Sequence, residues 1–158
     1  ALALKHHRPD WEVWAIDTSE QALRQAQTNA HSLGLSIQWF QDNLFELQLL
    51  RHHPDLANEF DVIVSNPPYI LNEERSHLDL EVLDYEPELA LFCFSTRHMY
   101  EALMNTSLSL LKKHQASFYF ELHERNAEEV QQLYSNMNIP SKIIKDLGGK
   151  DRFIIGSV

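Results

Sequence analysis

Apolar and polar positions switch between two rhythms along this chain of 158 residues, and the switches predict its elements. The apolar run Val13-Trp14-Ala15-Ile16 ends at Asp17 and predicts a first strand. The rhythm then becomes helical: Ala22, Leu23, Ala26, Ala30 and Leu33 recur on one side, Ser19 stands at the N-cap, and Gly34 stands where a left-handed cap belongs. Residues 36–40, ending near Asp42, predict a second strand, and the β-branched run from Asp61 to Ser65 a third. Residues 76–83 are ambiguous and read as a short helix within a long excursion. Residues 97–113 predict a helix with Tyr100, Leu103, Met104, Leu108 and Leu111 on one side. A fourth strand is expected over 116–122, a helix over 126–135, and two last strands over 142–145 and 152–156, joined through Gly148-Gly149. Ala1 to Leu4 reads as the end of a helix stopped by Pro9, so the chain is taken as the later part of a longer one.

Strands alternating with helices imply parallel pairing through right-handed crossovers, hence an open α/β sheet. The short connection between the last two strands suits an antiparallel hairpin at one edge. With 44% hydrophobic residues the chain can build one globular domain, expected to cover residues 1–158. No apolar run approaches the roughly 18 residues a membrane span needs. The net charge of −10 argues against a surface that grips phosphate backbones. The single cysteine, Cys93, fits a reducing compartment and reads as a small buried apolar residue. Nine histidines invite a metal, but His6-His7 and His52-His53 are adjacent pairs in polar turns without zinc-helix spacing, and solvated surface positions are expected.

Ligands of open α/β sheets sit beyond the carboxyl ends of the strands. Three polar signals fall there: Asp17, Asp42-Asn43 and Asn66-Pro67-Pro68-Tyr69. An isolated Asn-Pro pair is ordinary punctuation after a strand, but three such ends in succession favour a binding site. Asp17 suits the hydroxyls of a ribose, although the glycine loop that normally precedes such an acid is not among the four glycines of this chain. The Asn66 side-chain oxygen and the Pro67 carbonyl can both accept hydrogen bonds from one planar NH2 group. Holding its hydrogens orients the nitrogen lone pair and favours the positive charge that develops as it attacks. Tyr69 offers a flat face to a planar substrate, and the prolines stiffen the loop.

The stretch "NPPY" at a strand end resembles the signature of S-adenosylmethionine-dependent amino methyltransferases, and "AIDTSEQALRQAQTNAHSLGL" (15–35) resembles their ribose-binding strand and helix. "DYEPELAL" (84–91) and the tail "KDLGGKDRFIIG" (145–156) resemble the HemK-type glutamine methyltransferases of peptide-chain release factors. The resemblance implies a Rossmann-like class I methyltransferase sheet, truncated at its N-terminus. It further implies S-adenosylmethionine as cofactor and a release factor as protein partner. Neither membrane nor nucleic acid is expected as partner, and a cytoplasmic monomer is. On this resemblance Asp17 and Thr18 would hold the cofactor ribose, and Asp42, Asn43 and Leu44 would lie by its adenine. Asn66, also placed against the cofactor, would hold the substrate amide with Pro67 and Pro68, with Tyr69 alongside. Glu86 and Pro87 would shape the substrate pocket.

Set against that family, the sequence lacks the glycine-rich cofactor loop and the N-terminal helical domain that contacts the release factor, and it departs from the usual residues in two further places. It reads Phe92-Cys93-Phe94-Ser95-Thr96 where glycines are usual, and Glu121-Leu122-His123 where Glu-Ile-Gly is common. Both departures are expected to sit away from Asn66. Two other functions remain open: an amino methyltransferase of adenine or guanine in nucleic acid, and a non-catalytic relic of the family.

Overall fold

The computed structural model describes residues 1–77 and 80–158, in two compact units, Ala1–Pro54 and Asp55–Val158. The first unit opens with helix α1 (Leu2–His7), closed by the Arg8 amide on the Leu4 carbonyl at 2.8 Å. Strand β1 (Trp14–Asp17) pairs in parallel with β2 (Gln38–Gln41), Trp14 opposite Gln38 and Asp17 opposite Gln41. Helix α2 (Glu20–Ser32) makes the crossover between them. Both of its ends follow the predicted chemistry. Ser19 Oγ accepts from the Ala22 amide at 3.2 Å. At the other end Gly34 takes φ +64°, donating to the His31 carbonyl while Leu35 donates to Ala30, the pattern of a left-handed glycine cap. The buried stripe is narrower than expected, since Leu23 and Ala30 are buried while Ala22 and Leu33 are exposed. Leu33 already lies at the C-cap, beyond the last regular turn, so the helical period no longer aims it inward. A single turn, α3 (Leu49–His52), completes this unit. The ring of His53 packs against Trp14 and Phe40, so it is half-buried rather than solvated.

The second unit is built on β3 (Val62–Ser65), followed by the short β4 (Ile70–Leu71), a 3-10 turn (Asn72–His77), α4 (Leu80–Tyr85), α5 (Glu88–Leu91) and β5 (Phe92–Cys93). The ambiguous stretch over 76–83 thus divides between the end of that turn and the start of α4, with Leu78 and Asp79 outside the described residues. Next come α6 (Thr96–Leu110), β6 (Ser117–Glu121), α7 (Ala127–Asn136), β7 (Ser141–Lys145) and β8 (Asp151–Ser157). The main sheet runs β3-β6-β8-β7, parallel between β3 and β6 and antiparallel on both sides of β8. The hairpin of the last two strands therefore lies at one edge, as expected. The two-residue pair β4–β5 was not foreseen; it is parallel and puts Cys93 in the core at 4% exposure.

Tyr100, Leu103 and Met104 of α6 are buried, with Val130, Leu133 and Tyr134 of α7 and with Phe118, Phe120 and Ile154 of the sheet. Phe118 stacks near Phe120 at 5.0 Å and meets Tyr134 edge-on at 5.7 Å. The inward face of α6 also takes Met99, Ser107 and Leu110, whereas Leu108, expected inside, is exposed. Ser107 is tolerated there because its hydroxyl donates to the Leu103 carbonyl at 2.7 Å. No helix among the described residues is long and apolar enough to cross a membrane.

Candidate active site

In the first unit the parallel register brings the two acid-bearing strand ends together. The Asp42 amide donates to the Asp17 carbonyl at 3.1 Å, and Gln41 Nε2 donates to the Thr18 carbonyl at 3.1 Å. The side chains differ sharply in what they have left. Asp17 is exposed; its Oδ1 accepts from the Ser19 amide at 2.8 Å, and Oδ2 has no partner among the described residues. That oxygen can accept from a pair of sugar hydroxyls, so this end fits a ribose. Asp42 is 6% exposed, and its carboxylate accepts from the amides of Asn43 (2.7 Å), Gln48 (3.0 Å) and Leu49 (2.7 Å). It thereby folds the segment between β2 and α3. Asn43 turns its Oδ1 back to the Phe45 amide at 3.0 Å, and Leu44 is half-buried between them.

In the second unit Asn66 follows β3 directly. Its side chain is exposed and has no hydrogen-bond partner among the described residues, while Pro67 is buried and Pro68 half-buried. The strand end is thus rigid, with a free carboxamide at its tip. Tyr69 is half-buried; its hydroxyl reaches Glu121 Oε1 at 3.4 Å and its ring meets His123 at 5.9 Å. Burial pushes the Tyr69 hydroxyl upward from its ordinary pKa, the Glu121 carboxylate adds to this, and the Arg152 charge opposes it. Glu86 also acts on Tyr69 through its charge, and Pro87 begins α5 with its carbonyl accepting from Ala90 at 2.9 Å.

The departures at 121–123 do not sit away from this loop, which corrects the expectation. Glu121 and His123 are contacts of Tyr69. The β3–β6 register explains why: Ser65 is opposite Phe120, so Asn66 and Glu121 are the next positions on neighbouring strands. Arg152, also overlooked, enters from β8, where its carbonyl accepts from the Leu122 amide at 2.9 Å. Treating the carboxyl end of β6 like those of β1 to β3 would have found Glu121. The departure at 92–96 has a structural role, because Ser95 caps α6 through the His98 amide at 3.3 Å. Among the described residues no group of three or more potential metal ligands occurs.

This architecture is shared by solved methyltransferases. The N-terminal domain of human METTL16, solved in complex with SAH, matches with a TM-score of 0.64 at 14% identity, over 99% of this chain and 55% of that one. A SAM-dependent methyltransferase from Aquifex aeolicus matches with a TM-score of 0.58 at 14% identity, over 93% and 69%. The fold is accordingly the Rossmann-like class I methyltransferase fold. Within that class, the chain belongs to the RMKL-like methyltransferase domain family, whose model matches residues 2–81. Curated relatives named release factor glutamine methyltransferase include one from Enterococcus faecalis, 37% identical over 98% of this chain and 54% of that protein. Another, from Flavobacterium psychrophilum, is 34% identical over 98% of this chain and 53% of that protein. The chain spans about half the length of these curated relatives.

Proposed function

We propose that this chain transfers a methyl group from S-adenosylmethionine to the side-chain amide nitrogen of a glutamine in a peptide-chain release factor. The observation that carries this reading is the free, exposed carboxamide of Asn66 on a strand end locked by the buried Pro67. Similarity along 98% of the chain to proteins named release factor glutamine methyltransferase supports the choice of substrate. On this reading residues 1–158 are part of a methyltransferase domain acting in the cytoplasm, as a monomer, on a protein partner.

Asn66 Oδ1 and the Pro67 carbonyl accept the two amide hydrogens, which fixes the direction of the nitrogen lone pair and disfavours rotation of the amide. Pro68 stiffens the loop and the Tyr69 ring covers the flat amide, while Glu86 and Pro87 bound the substrate pocket. Asp17 accepts from the ribose hydroxyls of the cofactor, with Thr18 beside it. Asn43 and Leu44, held by Asp42, lie along its adenine. Bound there, the cofactor supplies an electrophilic methyl group on sulfur.

Transfer of labelled methyl from S-adenosylmethionine to purified release factor tests the substrate directly, with RNA and DNA as parallel acceptors. Label on a glutamine of the factor is expected; label in nucleic acid alone would overturn the reading. Asn66→Ala is expected to lower the turnover by roughly 100- to 1000-fold, the cost of one preorganised acceptor. Cofactor affinity, read by calorimetry, should be retained.

A further inference from the structure

The tail that runs through Asp146 and Arg152 has no part in the roles assigned so far, yet it is built around a single carboxylate. Asp146 Oδ1 accepts from the amides of Gly148 (2.9 Å) and Lys150 (3.0 Å), which closes the turn between β7 and β8. Gly149 takes φ +81° in that turn. Asp146 Oδ2 accepts from Arg152 Nε at 3.2 Å. The turn and the arginine are therefore set by the same side chain. With Nε taken, the two Nη groups of Arg152 have no hydrogen-bond partner among the described residues.

The strands fix where those groups lie. Leu122 donates to the Arg152 carbonyl, and Glu121 is opposite Phe153, so Arg152 stands beside the end of β6. Asn66 lies one strand further, next to Glu121 in the parallel register. Two strand spacings amount to about 10 Å, which an extended peptide covers in about three residues. The local charge decides what the fork receives. Arg152 is flanked by the Asp146 carboxylate, in contact, and by the Glu121 carboxylate near Tyr69. A further anion would be repelled, whereas a neutral oxygen acceptor is welcome.

We infer that Arg152 is a substrate-binding residue, whose free Nη groups donate to a main-chain carbonyl of the peptide segment carrying the target glutamine. Asp146 is the residue that positions it. This rests on the function proposed above.

The test compares the unaltered protein with Arg152→Gln, Arg152→Lys and Asp146→Asn, using purified release factor as methyl acceptor. Asp146→Asn keeps an oxygen for the turn amides but replaces the acceptor of Arg152 Nε with a donor. Arg152→Gln should raise KM for the release factor about tenfold, the loss of one charge-assisted hydrogen bond. Asp146→Asn should raise it severalfold. Arg152→Lys, which retains charge and stem and guards against a folding defect, should fall between the unaltered protein and Arg152→Gln. In all three kcat and cofactor affinity should stay within about twofold of the unaltered values, a split that a merely structural role for Arg152 would not produce. An unchanged KM in both Arg152 variants, with the unaltered protein active, overturns this inference alone. No methyl transfer to the release factor by the unaltered protein overturns the proposed function and this inference with it.

Discussion

Asp17 and Asp42 end neighbouring strands and carry the same functional group, but only Asp17 has an oxygen to spare. Their substitutions should separate accordingly. Asp17→Ala is expected to weaken S-adenosylmethionine binding about tenfold and to cost no more than about 1 kcal/mol of stability. Asp42→Ala strands three backbone donors, one of them buried, and should cost about 3 kcal/mol. Urea unfolding beside calorimetric titration reads both quantities; equal stability losses would contradict the distinction. The position of Asp42 was legible as an acid at a strand end. Its employment was not, because its partners lie one, six and seven residues onward and depend on how that segment folds. Glu121 and His123 were misjudged for a related reason. Their contact with Tyr69 crosses about fifty residues of sequence and follows only from the pairing of β6 with β3.

At the scale of elements, α2 was the most legible, since its caps are local chemistry and both are realised. The apolar face of α6 was less so. Which side of that helix faces inward is decided by the rings it meets, and Ser107 displaced Leu108 because a hydroxyl can satisfy itself within a helix. The pair β4–β5 was illegible, two residues being too short to display a period. Strand β8 was foreseen, but not the reason for its glycine. A Cβ at Gly156 would lie 2.3 Å from the Pro140 carbonyl oxygen and 2.6 Å from Phe118 Cζ. Gly156→Ala must therefore shift backbone against a core ring, and a loss of about 2–3 kcal/mol is expected. Chemical denaturation measures it; a variant as stable as the parent would mean that β8 is free to move away from Phe118.

At the scale of the molecule, two buried phenols of the second unit tie α6 to the sheet and α7 to α6. Tyr100 donates to the Glu121 carbonyl at 2.6 Å and Tyr134 to the Tyr100 carbonyl at 3.1 Å. Burial raises the pKa of both far above the ordinary tyrosine range, with the neighbouring Tyr134 adding to the effect at Tyr100. In the unfolded chain both ionise near pH 10, whereas folding keeps them neutral. Their contribution is thus complete below about pH 10 and lost above it, at about 1.4 kcal/mol per pH unit for each tyrosine. Urea midpoints should fall steeply through this range, and Tyr134→Phe should make the fall shallower. An unaltered slope in that variant would show that Tyr134 ionises freely in the folded state.

The order β3-β6-β8-β7 also governs the sequence of events in folding. The strand of this sheet that is synthesised last, β8, is the one that joins β7 to the rest. Until it arrives, β6 presents an open edge and β7 has nothing to pair with. The pairing of β3 with β6 does not need β8, but the sheet is joined across to β7 only once residues 151–157 are in place. A nascent chain held just short of that strand would display the edge of β6 to other chains, making it the point at which stalled synthesis leads to aggregation.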